Sequence, residues 1–406
     1  MSSDNYPIND RMLTFGVEFE FLVARPKHIF DPNPQDTRWT VPVYRPSTSN
    51  ADTGSSTAQD YIASLLTRNG IPALSEHRYK TSYVEYVKEQ AVAQGVTPKE
   101  NHIASHAFWM VSYEHAIHRI REEDLDGYDY VNMEVASRIL RETEFDEVAR
   151  VYHIIKSNIK TLVNSSCGLH YHIGIGHLSL DSLKKLVTLL MVLELKGLFG
   201  MICAPYRTTQ PEKSPYSQLV YKHSRAALEQ GVTGRDSLHH GLLAHLPPDC
   251  AMPTPFLLTL TRIWNCQDVQ SIRDEILTRG ITTDSGYSGI VMRGGFAVRG
   301  SSVDLDINGN LVYADPTIEI RYRESTGSAA QDYRWLKLCL SLVRAAEWPQ
   351  GKFQRTMAAL DSTDTLAGLL RSIGIDGEDI QWWSRVAAHY CQHPHPSKKT
   401  EFLMPE

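Results

Sequence analysis

The stretch Cys167-Gly168-Leu169-His170-Tyr171-His172-Ile173-Gly174 sets two imidazoles one residue apart, bracketed by glycines. In an extended strand successive side chains point to opposite faces, so Leu169, Tyr171 and Ile173 go one way and His170 and His172 the other. A pair of imidazoles on one sheet face builds no core, but it suits a metal or phosphate site. Such a pair also occurs as ordinary surface or hydrogen-bonded core histidines, so its weight depends on what other strands bring to the same place. Two do bring matching groups. In Met12 to Val23, Phe15, Val17, Phe19 and Phe21 alternate with Gly16, Glu18 and Glu20. In Pro316 to Glu324, Ile318, Ile320 and Tyr322 share one face, and Glu319, Arg321 and Arg323 share the other. Period-two alternation of this kind predicts half-buried strands.

Carboxylates with an imidazole form a hard oxygen-rich donor set suited to Mg²⁺ or Mn²⁺, above all when phosphate oxygens complete the shell. Arginines beside such a set suit the charge that develops on a transferring phosphoryl group. Three strands that are polar on one side only predict an antiparallel or mixed sheet with one open face, covered by helices on the other. The remaining elements fit that plan. A strand is expected over Phe108 to Tyr113, followed by Glu114, and another over Tyr128 to Ser137, carrying Glu134. Amphipathic helices are expected over Thr57 to Arg68, Arg141 to Val163 and Gln331 to Glu347, with an apolar helix from about Ser179 to Met201. Tyr79 to Val87 reads as a further strand, Glu89 to Asn101 as a polar connector, and Asp304 to Asn310 as a turn. Arg25 to Ser56, rich in Pro, Asp, Asn, Ser and Thr, is expected to be a mobile loop or insertion.

The bulk composition excludes several classes. The chain has 406 residues, is 42% hydrophobic and 22% charged, and carries a formal net charge of −6, which argues against a nucleic-acid partner. No two of the six cysteines stand at C-x-x-C spacing, so neither a zinc ribbon nor a disulfide framework is indicated. The most apolar segment, Leu183 to Ile202, contains Lys184, Lys185, Glu194 and Lys196, which makes it a buried helix rather than a membrane span. With no secretory signal in the polar first ten residues, a cytoplasmic protein without membrane partners is expected. Gly286 to Gly300 is glycine-rich and holds Arg293 and Arg299, but it matches neither a Walker loop nor a dinucleotide fingerprint.

Four motifs, in order, carry a family resemblance: Gly16-Val17-Glu18-Phe19-Glu20, Val131 to Ser137 (VNMEVAS), Asn164 to Gly174 (NSSCGLHYHIG) and Thr317 to Arg321 (TIEIR). The chain resembles the amidoligase family of the carboxylate–amine ligase superfamily, relatives of glutamine synthetase and glutamate–cysteine ligase, over about Met12 to Glu347. The resemblance implies an α+β fold: a curved, mainly antiparallel sheet forming a half-barrel, with helices on its convex face. It implies an ATP- and Mg²⁺-dependent ligase that joins a small-molecule or peptide carboxylate to an amine through an acyl phosphate. By the same resemblance Glu18, His170 and Glu319 hold the metal that bridges the ATP phosphates, and Glu20 and Glu134 help hold a second near the acceptor carboxylate. His172 lies beside the nucleotide and Arg321 stabilises the transferred phosphoryl group. Arg323 is a catalytic candidate beside it, Arg293, Arg299 and Arg207 are further candidates for phosphate or carboxylate contacts, and Glu324 or Glu114 takes the amine proton. Relatives often assemble, so a homo-oligomer is possible.

The sequence departs from the family pattern at Ser137-Arg138 (usually Ser-Pro), at Glu114-His115-Ala116 (usually an Asp-x-Ser turn) and at Arg323 (usually histidine). These positions fall where acceptor or amine binds, and they bear on substrate identity more than on ATP chemistry. The organisation expected is a catalytic domain over 12–348, with 25–56 as its loop, and a C-terminal helical extension over 349–406 packed on it. The competing classes are a metal-dependent hydrolase, separated by nucleotide dependence, and a non-catalytic ligase-like scaffold. A cupin oxygenase also displays His-x-His, but it needs a nearby Glu and a distal His that Ile173 to Leu180 does not offer beyond His177.

Overall fold

The computed structural model describes residues 12–43, 54–79, 83–99, 102–117, 127–208, 218–229, 238–278, 294–300, 303–394 and 402–404. Among these residues the strands are β1 (Thr14–Pro26), β2 (Ala73–Ser75), β3 (Trp109–Ser112), β4 (Tyr128–Ala136), β5 (Leu140–Arg141) and β6 (Thr161–Leu162). They continue with β7 (Gly168–Gly174), β8 (Phe296–Arg299), β9 (Val303–Leu305), β10 (Leu311–Tyr313) and β11 (Thr317–Glu324). Nine strands form one open sheet in the order β2-β3-β4-β1-β7-β11-β8, with β5 and β6 paired to the ends of β1. Every pairing in it is antiparallel except β2 with β3. The fold is thus mixed α+β with a largely antiparallel sheet.

Alternation does what it promised in β1. Phe15, Val17, Phe19, Phe21 and Val23 are all buried in the main core. Phe19 stacks on Tyr152 of the helix Phe145–Asn158 with ring centres 4.4 Å apart, and the Tyr171 hydroxyl donates to the Asp332 carbonyl of the helix Ala329–Ala346. The helix Leu180–Leu195 is buried through most of its length, because Lys184 and Lys185 lay their stems in the core and donate to the carbonyls of Trp264 and Trp348 at 2.8 and 2.7 Å. Ser179 caps it, accepting from the Ser182 amide. Among the described residues no helix is long and apolar enough to cross a membrane.

Some elements differ from the reading of the sequence. Tyr83–Gln94 is a helix where a strand and a connector were expected, because Val87 and Ala91, one helical turn apart, are its buried residues. The helix expected over Arg141 to Val163 ends at Asn158, and Ile159 onward is extended into β6. Two further helices, Thr254–Asn265 and Val269–Ile276, precede β8. Of the loop from Arg25 to Ser56, the described part up to Val43 is tied down: Trp39 stacks on Tyr61 at 3.9 Å, and Arg38 bonds to Asp36 and to the Lys156 carbonyl.

Candidate functional site

Directly opposed residues of neighbouring strands share a face of the sheet, with side chains close enough to interact. The registers therefore build the site in rungs. Glu319 of β11, His172 of β7 and Gly16 of β1 lie on one rung. His170, Glu18 and Ala136 of β4 lie on the next. Glu20, Glu134 and Ser112 of β3 lie on the third, and Glu114, two residues past Ser112, follows beyond the strand end. One face of four adjacent strands thus carries Glu18, Glu20, Glu134, His170, His172 and Glu319.

The contacts are close. His170 Nδ1 lies 3.2 Å from Glu18 Oε2, and its Nε2 lies 3.6 Å from Glu20 Oε1. His172 Nε2 lies 3.1 Å from Glu18 Oε1 and 3.7 Å from Glu319 Oε1. Arg299 donates to Glu319 through Nε at 2.5 Å, and Arg321 donates to its other oxygen. Glu20 accepts from the Gly168 amide at 2.6 Å, and Ser112 donates to Glu134 at 3.4 Å. Gly168 is glycine for a steric reason: a Cβ there would stand 2.6 Å from His170 Nε2 and 3.0 Å from Arg207 Nη2.

The electrostatics divide the face into two ends. At the β11 end, burial raises the Glu319 carboxyl, but the charges of Arg321, His172 and Arg299 outweigh it and hold the group at about 2. Burial likewise raises Glu18, and the two imidazoles overcome it, holding Glu18 well below the usual carboxylate range. Burial lowers His172, yet Glu18 and Glu319 leave it raised, whereas burial and the Arg321 charge push His170 down to about 4. At the β4 end the balance reverses. Burial and the Glu114 charge push Glu20 up to about 7, and burial with Glu18, Glu20 and Glu114 raises Glu134 well above its ordinary value.

Three overlapping groups bring ligand atoms within 4.8 Å of one another: Glu18 with His172 and Glu319, Glu18 with Glu134 and His170, and Glu20 with Glu114 and Glu134. The donor chemistry fits hard divalent cations, and the crowding that raises Glu20 and Glu134 is the repulsion such an ion would relieve. The grouping differs from the one the resemblance implies. His172, not His170, is the imidazole that meets Glu319, since His172 lies opposite it in the ladder.

The other sequence-derived candidates fall in different places. Arg299 stands beside Glu319 and Arg321. Arg207, on the short helix Pro205–Thr208, is buried beside Gly168 at the edge of the cluster, where its charge acts to lower Glu20, and it donates to the carbonyls of Cys167 and Arg321, both at 3.4 Å. Arg293 lies outside the described residues. Arg323 is corrected: the shared face expected for Glu319, Arg321 and Arg323 breaks at a bulge in β11 between Ile320 and Arg323. Ile320 opposes Tyr171 and Arg323 opposes Leu169, both core-face residues, so Arg323 points into the helical layer. There its guanidinium lies over Trp382 and Trp383 at 5.7 and 5.4 Å and donates to Gln331. Glu324, opposite Gly168, returns to the site-face parity, but its carboxylate accepts from the Tyr390 hydroxyl and the Ala204 amide and joins none of the three ligand groups. Of the two carboxylates considered for the amine proton, Glu114 is therefore the one the fold brings to the acidic end.

Sequence reasoning missed Ser112 and Thr317, whose hydroxyls touch Glu134 and His172 Nδ1. Both signals were readable, since Ser112 has the parity of Glu114 and Thr317 that of Glu319.

With this geometry in hand, comparison with known families shows that residues 11–196 fit the model of a family described as "Putative amidoligase enzyme". The matched stretch carries β1 to β7, and so all of the face except what β8 and β11 bring. It supports an amidoligase, a ligase class of enzyme. No curated protein matches the chain.

Proposed function

We propose that the protein is an ATP-dependent ligase joining a carboxylate to an amine through an acyl phosphate, with Mg²⁺ or Mn²⁺ as its metal. The observation that carries the reading is the polarity of one sheet face, arginines at the β8–β11 end and three crowded carboxylates at the β1–β4 end. Glu18, His172 and Glu319 would hold one ion, and Glu134 with Glu20 or His170 a second. Bound there, the metal supplies charge neutralisation to the phosphate oxygens of ATP.

The chain's own groups supply the rest. Arg321 and Arg299 present fixed guanidinium donors where charge develops on the transferred phosphoryl group. His170, pushed down to about 4 and so neutral near pH 7, donates or accepts at one ring nitrogen without adding charge. Glu114, at the acidic end, accepts the proton of the incoming amine as the amide forms and phosphate leaves. The substrates in this reading are a small-molecule or peptide carboxylate and an amine, and the sheet is the half-barrel of glutamine synthetase-like ligases.

The test is ADP release from ATP and Mg²⁺ against a panel of amino acids and amines, with hydroxylamine present to trap the acyl phosphate as hydroxamate. Hydroxamate formed with one acid is the expected result. Absence of nucleotide binding by calorimetry with metal would overturn the reading and favour a metal-dependent hydrolase.

A further inference from the structure

The segment that joins β8 to β11 does more than connect them. β9 and β10 form a two-stranded hairpin, Val303–Tyr313, with Val312 opposite Asp304. Its tip is a hydrogen-bonded turn. Buried Asp306 accepts from the amides of Asn308 and Asn310 at 2.9 and 2.8 Å and from the Asn310 side chain at 3.1 Å, and Gly309 takes the left-handed conformation at φ +84°.

The tip residue Ile307 packs on a small second core of Leu74, Val87, Ala91, Ala104 and Phe108, with Ala107 and Met110 beside it. That core lies on the site side of the sheet at its far edge. Leu74 opposes Met110, Met110 opposes Ala136, and Ala136 opposes Glu18, so all four share the face of the carboxylates. The hairpin is rooted at the other edge, between Arg299 and Thr317. From β8, which ends at Arg299, to β3 are five strand spacings, about 24 Å. From position 299 to position 307 the chain has eight residues and reaches about 28 Å at most. Little slack remains for a detour, so the hairpin runs across the face near the adjoining rungs of Gly16 with His172 and Glu18 with Ala136. The electrostatics agree, because His106, on the far-edge side, feels the charges of both Asp304 and His172. Val312 is buried while Leu311 and Tyr313 are exposed, so the Val312–Asp304 side of the hairpin faces inward.

We propose that the hairpin Val303–Tyr313 is a strap over the site, latched by Ile307, that limits which acceptors reach the carboxylates beneath it. Ile307 is a positioning residue: it touches no reacting group and acts by holding the hairpin across the face. The consequence for turnover rests on the ligase reading, whereas the latch itself does not.

The experiment compares the full chain with Ile307→Asp and Ile307→Met. Hydrogen exchange of the peptide spanning 303–313 is measured first. Exchange several-fold faster in Ile307→Asp, with exchange in β1 and β7 unchanged and Ile307→Met restoring wild-type protection, is expected. The second readout is labelling of Glu134 and Glu20 by a bulky water-soluble carbodiimide with an amine nucleophile, followed by mass spectrometry. At least fivefold faster labelling in Ile307→Asp, with a smaller change for a compact carbodiimide, is expected. Unchanged exchange in the hairpin would overturn the latch, and faster exchange with unchanged labelling would overturn the strap. Neither readout uses ATP, so failure of the ligase reading and failure of this one are separable. Where an acid substrate is found, the latch predicts that Ile307→Asp broadens acceptor choice through KM while kcat for the best acceptor moves less.

Discussion

Arg323 is where strict alternation and the observed bulge give opposite answers, and Arg323→Met decides between them. The guanidinium is fully buried against two tryptophan rings at 5.4 and 5.7 Å and hydrogen-bonds Gln331 at 3.1 Å. Each desolvated cation–π contact contributes about 0.5–2 kcal/mol, and the hydrogen bond about 1 kcal/mol. Its charge also balances Glu324 and Asp332 nearby, and stripping a buried carboxylate of its cation costs about 3–5 kcal/mol. These effects overlap rather than add, so the expected loss is about 3–5 kcal/mol, a large share of the ~5–15 kcal/mol that holds a domain together. Urea denaturation followed by tryptophan fluorescence reads the loss as a lower midpoint at unchanged slope. Arg323→Lys, which keeps the charge but not the planar stack, should lose about 1–2 kcal/mol and serves where the methionine variant is too unstable to purify. Nucleotide affinity by calorimetry, per folded molecule, should stay within about twofold for the lysine variant. An unchanged midpoint together with a tenfold loss of nucleotide affinity would put Arg323 back on the site face and refute the argument from the bulge.

Other outcomes follow from the same geometry. Glu319→Gln should abolish Mg²⁺-dependent ATP binding in calorimetry, because it removes the carboxylate shared by Arg299, Arg321 and His172; normal binding would take Glu319 out of the ligand set. Arg321→Lys should keep ATP affinity and slow ADP release by about tenfold or more, since an ammonium cannot reproduce the planar fork, and an unchanged rate would remove Arg321 from phosphoryl stabilisation. Added Mg²⁺ should raise the melting temperature and EDTA should reverse the rise; a melting temperature indifferent to both would deny the carboxylates a bound ion. Burial pushes the Asp332 carboxyl from 3.8 to about 6, so between those values the native state keeps a proton that the unfolded chain releases. Stability should therefore fall as pH rises from about 4 to 6, by up to about 3 kcal/mol (2.2 units at 1.36 kcal/mol each). Asp332→Asn should flatten that limb of the pH profile, and a slope unaltered in the variant would deny Asp332 the role.

Much of the site was legible because a strand's period is two and each functional strand has a fully apolar opposite face. Glu18 and Glu20 could be paired off from Phe15, Val17, Phe19 and Phe21, and His170 and His172 from Leu169, Tyr171 and Ile173, without knowing any partner strand. What alternation cannot give is register, which belongs to two strands at once. Nothing in either segment says that His172 lies opposite Glu319 while His170 lies opposite Glu18, so the grouping of ligands had to come from the ladder. The Tyr83–Gln94 helix was missed for a different reason. Its burial rests on Val87 and Ala91 against a small satellite core, and so short an apolar stripe gives little periodicity to read.

The bulge in β11 explains why one short motif serves two purposes. Up to Arg321 the strand alternates in step with β7 and delivers Glu319 and Arg321 to the open face, both buried and paired with each other. One extra residue then shifts the parity, so Tyr322 stacks flat on Phe199 at 3.9 Å and Arg323 follows it into the helical layer. Without the extra residue Arg323 would stand on the site face beside Glu20 and the Gly168 amide, where its charge would lower the very carboxyl that burial and Glu114 now hold near 7. The bulge thus keeps the acidic end acidic while one more cation locks the C-terminal helix Gly377–Gln392 to the sheet.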